Sequence, residues 1–326
     1  MTSNITPQHH PDAQFAANAL RDDEIDLREL FSVIWQGKWL IAGITLVFAV
    51  ASVVIALMLP NIYKSEALLA PASEEQGAGR LAGLASQFGG LASMAGINLG
   101  GKGGTDKTQL AIEVLKSRQF IGNFIEKHQI LPELMAVDKW HMADNSLSFV
   151  PEMYNQQSKT WVREVKPPFQ PKPSLQEAHK AFSKILVINK DKESGMVKIS
   201  IEHQSPFIAK QWLDWLVADI NLTMKERDVA EANRSTEFLN KQIELTNVAD
   251  IRTILYKLVE EQAKTIMFAE VRDEYVFKTI DPAFVPEEKA KPKRALICVL
   301  GTMLGGMLAV MMVLVRQFVR KDSEIL

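Results

Sequence analysis

DPAFVPEEKAKPKRALICVLGTMLGGMLAVMMVLV, residues Asp281 to Val315, sets prolines 282, 286 and 292 directly before a glycine-punctuated apolar run. That run, Ala295–Val315, holds 21 residues and no charge. A second run, Leu40–Leu59, holds 20 residues and again no charge. At about 1.5 Å per helical residue each is ~30 Å long, the thickness of a bilayer's hydrocarbon core. Trp35, Lys38 and Trp39 precede the first run, and Arg316, Arg320 and Lys321 follow the second, as aromatic and cationic residues flank membrane spans. A core helix of a soluble protein lacks such flanks. A cleaved leader is shorter and follows a short basic start, whereas Leu40–Leu59 follows a helix-forming segment. Two spans enclosing one large loop are therefore expected.

Orientation follows from charge near the first span. Arg28 and Lys38 precede it closely and only Lys64 follows closely, which places the N-terminus in the cytoplasm. Lys289, Lys291, Lys293 and Arg294 argue the other way at the second span. Long loops translocate largely regardless of charge, so the first span decides. The expected organisation is a cytoplasmic tail and interfacial helix at 1–39, spans at 40–59 and 295–315, a large external domain at 60–294, and a cytoplasmic tail at 316–326.

The external domain carries 31 Lys+Arg and 31 Asp+Glu, so it is neutral and shows no basic stripe for nucleic acid. The single cysteine, Cys298, lies inside the second span, and no intrachain disulfide can hold that domain.

Local patterns fill in the frame. Leu27, Leu30, Phe31, Ile34 and Trp35 fall on one helical face after Asp22 or Asp23 as a cap, which reads as an interfacial helix. NIYKSEALLAP reads as a strand. Gly77–Gly104 holds ten of the 17 glycines and reads as a loop or as a small-residue helix contacting a neighbouring subunit or glycan. Thr105 or Asp106 is expected to cap one helix through His128, and 138–174 reads as irregular. LQEAHKAFSKI is helical, and ILVINKDKESGMVKISIEH forms a hairpin turning at Ser194–Gly195. A helix of roughly forty residues starts at Ser205, about 60 Å long. It is apolar at Trp212, Leu213, Trp215, Leu216 and Ile220 and charged from Lys225 to Glu237. After NVAD a second helix returns antiparallel with Ile251, Ile254, Leu255, Leu258 and Val259 inward, and DEYVFKTID is a last strand. The fold class is thus α+β, two transmembrane helices flanking an α/β domain with a long projecting helical hairpin.

Motifs of catalysis are missing. GINLGGKG (Gly96–Gly103) approaches a phosphate-binding loop, but Gly103 stands where the magnesium-binding hydroxyl belongs and no strand leads into it. The six histidines lack metal-ligand spacing, and no serine sits in a GxSxG elbow. No catalytic residue, metal or cofactor is expected.

The chain resembles the chain-length determinant (Wzz) family of bacterial inner-membrane proteins, the polysaccharide co-polymerases. The likeness runs from about Asp23 onward. It is densest in EIDLRELFSVIWQGKW, SPFIAKQWLDWLVADIN, EEQAKTIMFAEVRDEYVFKTIDPAFVPEEKAKPKRALI and the second span. It implies a periplasmic domain assembled as a homo-oligomeric ring. That ring would set the modal length of O-antigen or a related glycan built on a lipid carrier by a separate Wzy-type polymerase. It also implies that Pro282, Pro286, Pro292, Gly301, Gly305 and Gly306 form the family's proline–glycine motif. Physically, Pro282 and Pro286 keep the approach extended, and Pro292 suits a first helical turn, where no N–H is needed. Gly301, Gly305 and Ala309 form a smooth face, matched by Ala42, Thr45, Ala49, Ser52 and Ala56 in the first span, for packing within or between protomers. The alternative is a membrane adaptor for capsule or exopolysaccharide export. The eleven residues after Val315 contain no tyrosine, so its kinase is expected to be a separate protein.

Overall fold

The computed structural model describes residues 27–72 and 107–323. The N-terminal tail, the Asp22/Asp23 cap, the Gly77–Gly104 stretch and the GINLGGKG loop lie outside these residues. In chain order come α1 (Leu27–Gln36), α2 (Lys38–Met58), β1 (Tyr63–Pro71), α3 (Lys107–Lys116), α4 (Arg118–His128) and α5 (Leu131–Met135). The short strands β2 (Val137–His141), β3 (Ser146–Phe149), β4 (Tyr154–Asn155) and β5 (Thr160–Trp161) follow. Then come α6 (Leu175–Ile185), β6 (Leu186–Lys190), β7 (Val197–His203), α7 (Pro206–Leu245), α8 (Ala249–Val271), β8 (Phe277–Asp281) and α9 (Arg294–Ser323). Two units result: residues 1–59 with 292–326, and residues 60–291.

In the larger unit β1 organises an antiparallel sheet of order β6-β7-β1-β8. Its residues alternate, with Tyr63, Ser65, Ala67 and Leu69 buried, as a strand with one face on a core requires. Register is fixed on β7 from Tyr63 opposite His203 to Leu69 opposite Val197, and on β8 from Leu68 opposite Asp281 to Pro71 opposite Phe277. The β6–β7 turn follows the expected hairpin. Gly195 takes φ 69° there, a left-handed backbone that a side chain would strain.

Helices α3, α4, α6 and the first half of α7 cover the sheet's apolar face. Leu115, Phe124, Phe182, Ile199, Trp212 and Leu216 meet in one core. Ser205 starts α7 as the sequence suggests: its hydroxyl accepts from Ile208 N, and Pro206 occupies the first helical position, where a missing N–H costs nothing. Beyond Met224 only Ala232 and Ile243 of α7 are buried, and α8 buries only Ala269. The far half of α7 and the length of α8 therefore stand outside the core as a hairpin. The expected inward stripe of α8 is at best half-buried, and Ile251 is exposed, because α7 alone covers it.

Two local expectations change. The helix expected to run through His128 breaks at Ser117, whose extended backbone (ψ 148°) and hydroxyl cap on Phe120 N restart the chain as α4. Serine competes for backbone donors, which makes it a cap more readily than an interior residue. The stretch 138–174 is not wholly irregular, since it pairs β2 with β3 and β4 with β5. Arg163 then pins the following loop by a two-pronged bond to Glu177, Nη1–Oε1 2.8 Å and Nη2–Oε2 2.9 Å.

Buried polar groups in this unit are paired. Asn221 on α7 accepts from Val276 N and Phe277 N, each at 2.9 Å, and donates to Phe277 O at 3.1 Å, so one side chain secures β8. His203 accepts from Ser205 N at 3.0 Å through Nδ1, which leaves Nε2–H to donate to Glu133 O at 3.1 Å. Burial holds its pKa below the usual imidazole value.

Candidate functional site

In the smaller unit α2 and α9 run antiparallel and in contact. Both are long and apolar enough to cross a membrane. Leu46, Val47, Val54 and Leu57 on α2, and Leu300, Met303, Leu304 and Met307 on α9, are exposed. Helices that expose their apolar faces are not core helices of a soluble protein.

Their contact is built from small residues. A β-carbon placed on Gly301 would lie 2.5 Å from Ser52 Cβ, and one placed on Gly305 would lie 2.8 Å from Phe48 Cγ. Neither distance is tolerated between carbon atoms, so both glycines are required for this approach of the helices. Gly306 differs: a β-carbon there meets only Thr45 Oγ1, at an ordinary 3.8 Å. Ala56, Ser52, Ala309 and Val313 complete the buried seam. The Ser52 hydroxyl donates back to Ala49 O at 2.8 Å, so its buried donor is paired.

The small-residue stripe expected on α2 is only partly used. Ser52 and Ala56 are buried against α9 and Thr45 faces Gly306, whereas Ala42 is exposed. Two contributors escape sequence reasoning. Gly37, between α1 and α2, lies under Val313, where a β-carbon would come within 2.6 Å of Val313 Cγ1. Arg294 Nε donates to Ala56 O at 3.1 Å and satisfies a carbonyl at the end of α2 that no helical turn can reach. A glycine between two tryptophans and an arginine opening a span were the available signals.

Prolines 282 and 286 belong to the larger unit and Pro292 to the smaller. Beyond Asp281 the larger unit continues along β1 without a regular ladder, since proline offers no N–H. Single bonds replace it: the Ser65 hydroxyl donates to Phe284 O at 2.7 Å, and Ile62 N donates to Lys291 O at 2.9 Å. Lys291 also pairs with Glu202 at 2.7 Å. Pro286 is buried in this run and Pro282 is exposed at its start. Pro292 lies two residues before α9 rather than within its first turn, and its carbonyl accepts from Arg294 N at 3.0 Å. Prolines 282 and 286 thus lie beside β1 in the larger unit, while Pro292 and the three glycines belong to the smaller one.

Two families match. The chain length determinant protein family matches residues 23–128, which take in α1, α2, β1, α3 and α4. Over those residues the chain carries a chain length determinant (Wzz) domain. A second family, the G-rich domain on putative tyrosine kinase, matches residues 239–318, from the end of α7 through the glycine seam. The two matches do not overlap, and residues 129–238 lie between them. No individual curated protein sequence matches the chain. Among solved structures, a full-length bacterial polysaccharide co-polymerase is 14% identical with a TM-score of 0.36, over 92% of this chain and 99% of that one. A fragment of WzzB, a polysaccharide co-polymerase from Salmonella Typhimurium, is 13% identical with a TM-score of 0.25, over 71% of this chain and 100% of that one.

Proposed function

We propose that this protein regulates, without catalysing, the modal chain length of O-antigen or a related surface polysaccharide. It would act in the bacterial inner membrane as a ring of identical subunits, on a separate Wzy-type polymerase that extends a lipid-linked glycan. In this reading α2 and α9 cross the membrane, both termini are cytoplasmic, and Pro60–Arg294 is periplasmic. The family match over residues 23–128 carries the proposal. The seam supports its membrane part, because Gly301 and Gly305 let two long apolar helices pack closely. Pro282, Pro286, Pro292, Gly301, Gly305 and Gly306 would then couple the periplasmic unit to its membrane partner. The test is a deletion strain whose lipopolysaccharide is displayed on a gel. Loss of a modal length, restored by the cloned gene, is the expected result, and an unchanged ladder would refute the O-antigen role.

A second reading is favoured by the match over residues 239–318 to a domain named for tyrosine kinases. Under it the protein is a membrane adaptor for capsule or exopolysaccharide export and works with a separate kinase. Deletion would then abolish or shorten capsule while leaving the lipopolysaccharide ladder intact.

A further inference from the structure

A groove of about 540 Å³ opens between α4 and α6 in the larger unit. Its size falls within the range of small-molecule sites, about 300–1,000 Å³. Arg118 at the start of α4 and Lys180 and Lys184 on α6 line it, together with Phe169, Ser174 and Gln176. Lys180 and Lys184 are four residues apart on one helical face, and like charges at that spacing repel. Ordinary surface design places an acid between such lysines. Glu177, the one acid at the groove, is already held by Arg163 through both of its oxygens. That pairing keeps its carboxyl charged and its pKa near 2. Arg118, Lys180 and Lys184 make no ion pair with any described residue.

Phe169 is the second observation. It is 56% exposed, on a loop that is firmly held. Arg163 bonds to the Gln170 and Pro171 carbonyls at 2.8 and 2.7 Å, immediately after Phe169. Phe169 N itself donates to Lys166 O at 3.1 Å. The ring is therefore presented to solvent by a pinned backbone rather than left there by a loose one. A flat apolar platform beside three uncompensated cations suits a ligand with alternating apolar faces and negative groups. A sugar ring bearing a carboxylate has both. An acidic peptide has the charges but no flat face, and the unit's overall neutrality supplies no general attraction for polyanions.

We infer that this groove binds acidic glycan, with Arg118, Lys180 and Lys184 taking sugar carboxylates and Phe169 packing on a pyranose face. The inference rests on the chain-length reading only in making a glycan available to the protein.

The experiment uses the full chain in nanodiscs of zwitterionic lipid, titrated calorimetrically with a hexagalacturonate, with maltohexaose and with a hexaglutamate peptide. The hexagalacturonate is expected to bind saturably and more tightly than either other probe. Its affinity should fall as salt rises from about 50 to 300 mM, since these charges are exposed. Arg118→Ala with Lys184→Ala should weaken binding about tenfold or more, each exposed charge pair being worth up to about fivefold. Phe169→Ala should weaken it severalfold, while Lys192→Ala on the β6–β7 turn leaves it unchanged. All four residues are exposed, so unchanged melting temperatures are expected and confirm that the variants fold. Absence of saturable binding, equal binding of maltohexaose or hexaglutamate, or indifference to Phe169→Ala would each overturn the inference. Binding as described with an unaltered glycan ladder on gene deletion would instead sink the chain-length reading and leave the site standing.

Discussion

Gly305 and Gly306 are neighbours with opposite demands, and the difference is testable one atom at a time. At Gly305 a new methyl group would press on Phe48, whereas at Gly306 it finds room. Gly305→Leu is therefore expected to cost on the order of 1–3 kcal/mol of helix–helix packing, the usual range for overpacking, and Gly306→Ala close to nothing. In cells, Gly305→Leu should express and insert yet blur or shorten the modal glycan, with Gly306→Ala unaltered. Phe48→Ala should partly restore a Gly305→Ala variant, because the two side chains compete for one space. A Gly305→Leu ladder identical to wild type would reduce the seam to membrane-helix background. Glu177 gives a second test, in the periplasmic reading. Arg163 donates to both of its oxygens and lowers its folded pKa to about 2 from an ordinary 4.5. A depressed carboxyl pKa contributes stability that is present above the unfolded value and is lost as pH falls through the folded one. Wild type should thus lose more stability between pH 4.5 and 2 than Arg163→Ala, which lacks the shift. Melting curves of both proteins across that window give the difference, and parallel pH profiles would contradict it.

At the scale of elements, α7 shows both what sequence reveals and where it stops. Its start was legible because Ser205–Pro206 is a local signal, and its split character was legible because Trp212, Leu213 and Leu216 give way to charges at Lys225. The spans were legible for the same reason, since length and hydropathy are properties of a single segment. Partners were not. Nothing local in Asn221 announces that it will hold Val276 and Phe277, 55 and 56 residues later, by three hydrogen bonds. The Asn221→Ala variant should be destabilised by roughly 2–4 kcal/mol, because buried backbone groups of Val276 and Phe277 lose their partner. Chemical unfolding measures this, and a change under 1 kcal/mol would mean that water replaces the amide. The break at Ser117 and the strands β2 to β5 were illegible for another reason. A two-residue strand such as Tyr154–Asn155 has no periodicity to read, and a serine cap looks like any serine until the backbone turns. At the glycine seam the type of contact was legible, but the opposing residue was not: Phe48 is no small residue, and yet it fills the space over Gly305.

At the scale of the whole molecule, charge and exposure make separate claims. The topology claim is that a reporter active only outside the cytoplasm works when fused after Gly104 and fails after Leu326. Activity at Leu326 would contradict two spans. The assembly claim concerns the α7–α8 hairpin, whose two helices cover each other incompletely. Phe238, Leu245, Val248, Ile251 and Tyr256 all remain exposed there, at 46% to 76%. One exposed leucine needs no explanation, but five large apolar residues exposed on one projecting hairpin suit a protein contact. In the proposed ring of identical subunits, hairpin residues covered by one neighbour would be covered at every subunit contact. Phe238→Asp combined with Ile251→Asp should leave the protomer's fold intact, because neither side chain belongs to the core and exposed substitutions usually change stability by less than about 0.5 kcal/mol. What should change is assembly, because each contact would then bury two unpaired carboxylates. Mass photometry of the detergent-solubilised protein is expected to show wild type as a discrete oligomer and the double variant shifted to smaller species, with an unchanged melting temperature for the protomer. The same variant should lose modal control of glycan length in a deletion strain. An oligomer of undiminished mass would place the subunit contacts elsewhere, and the hairpin's exposed face would then belong to a different partner.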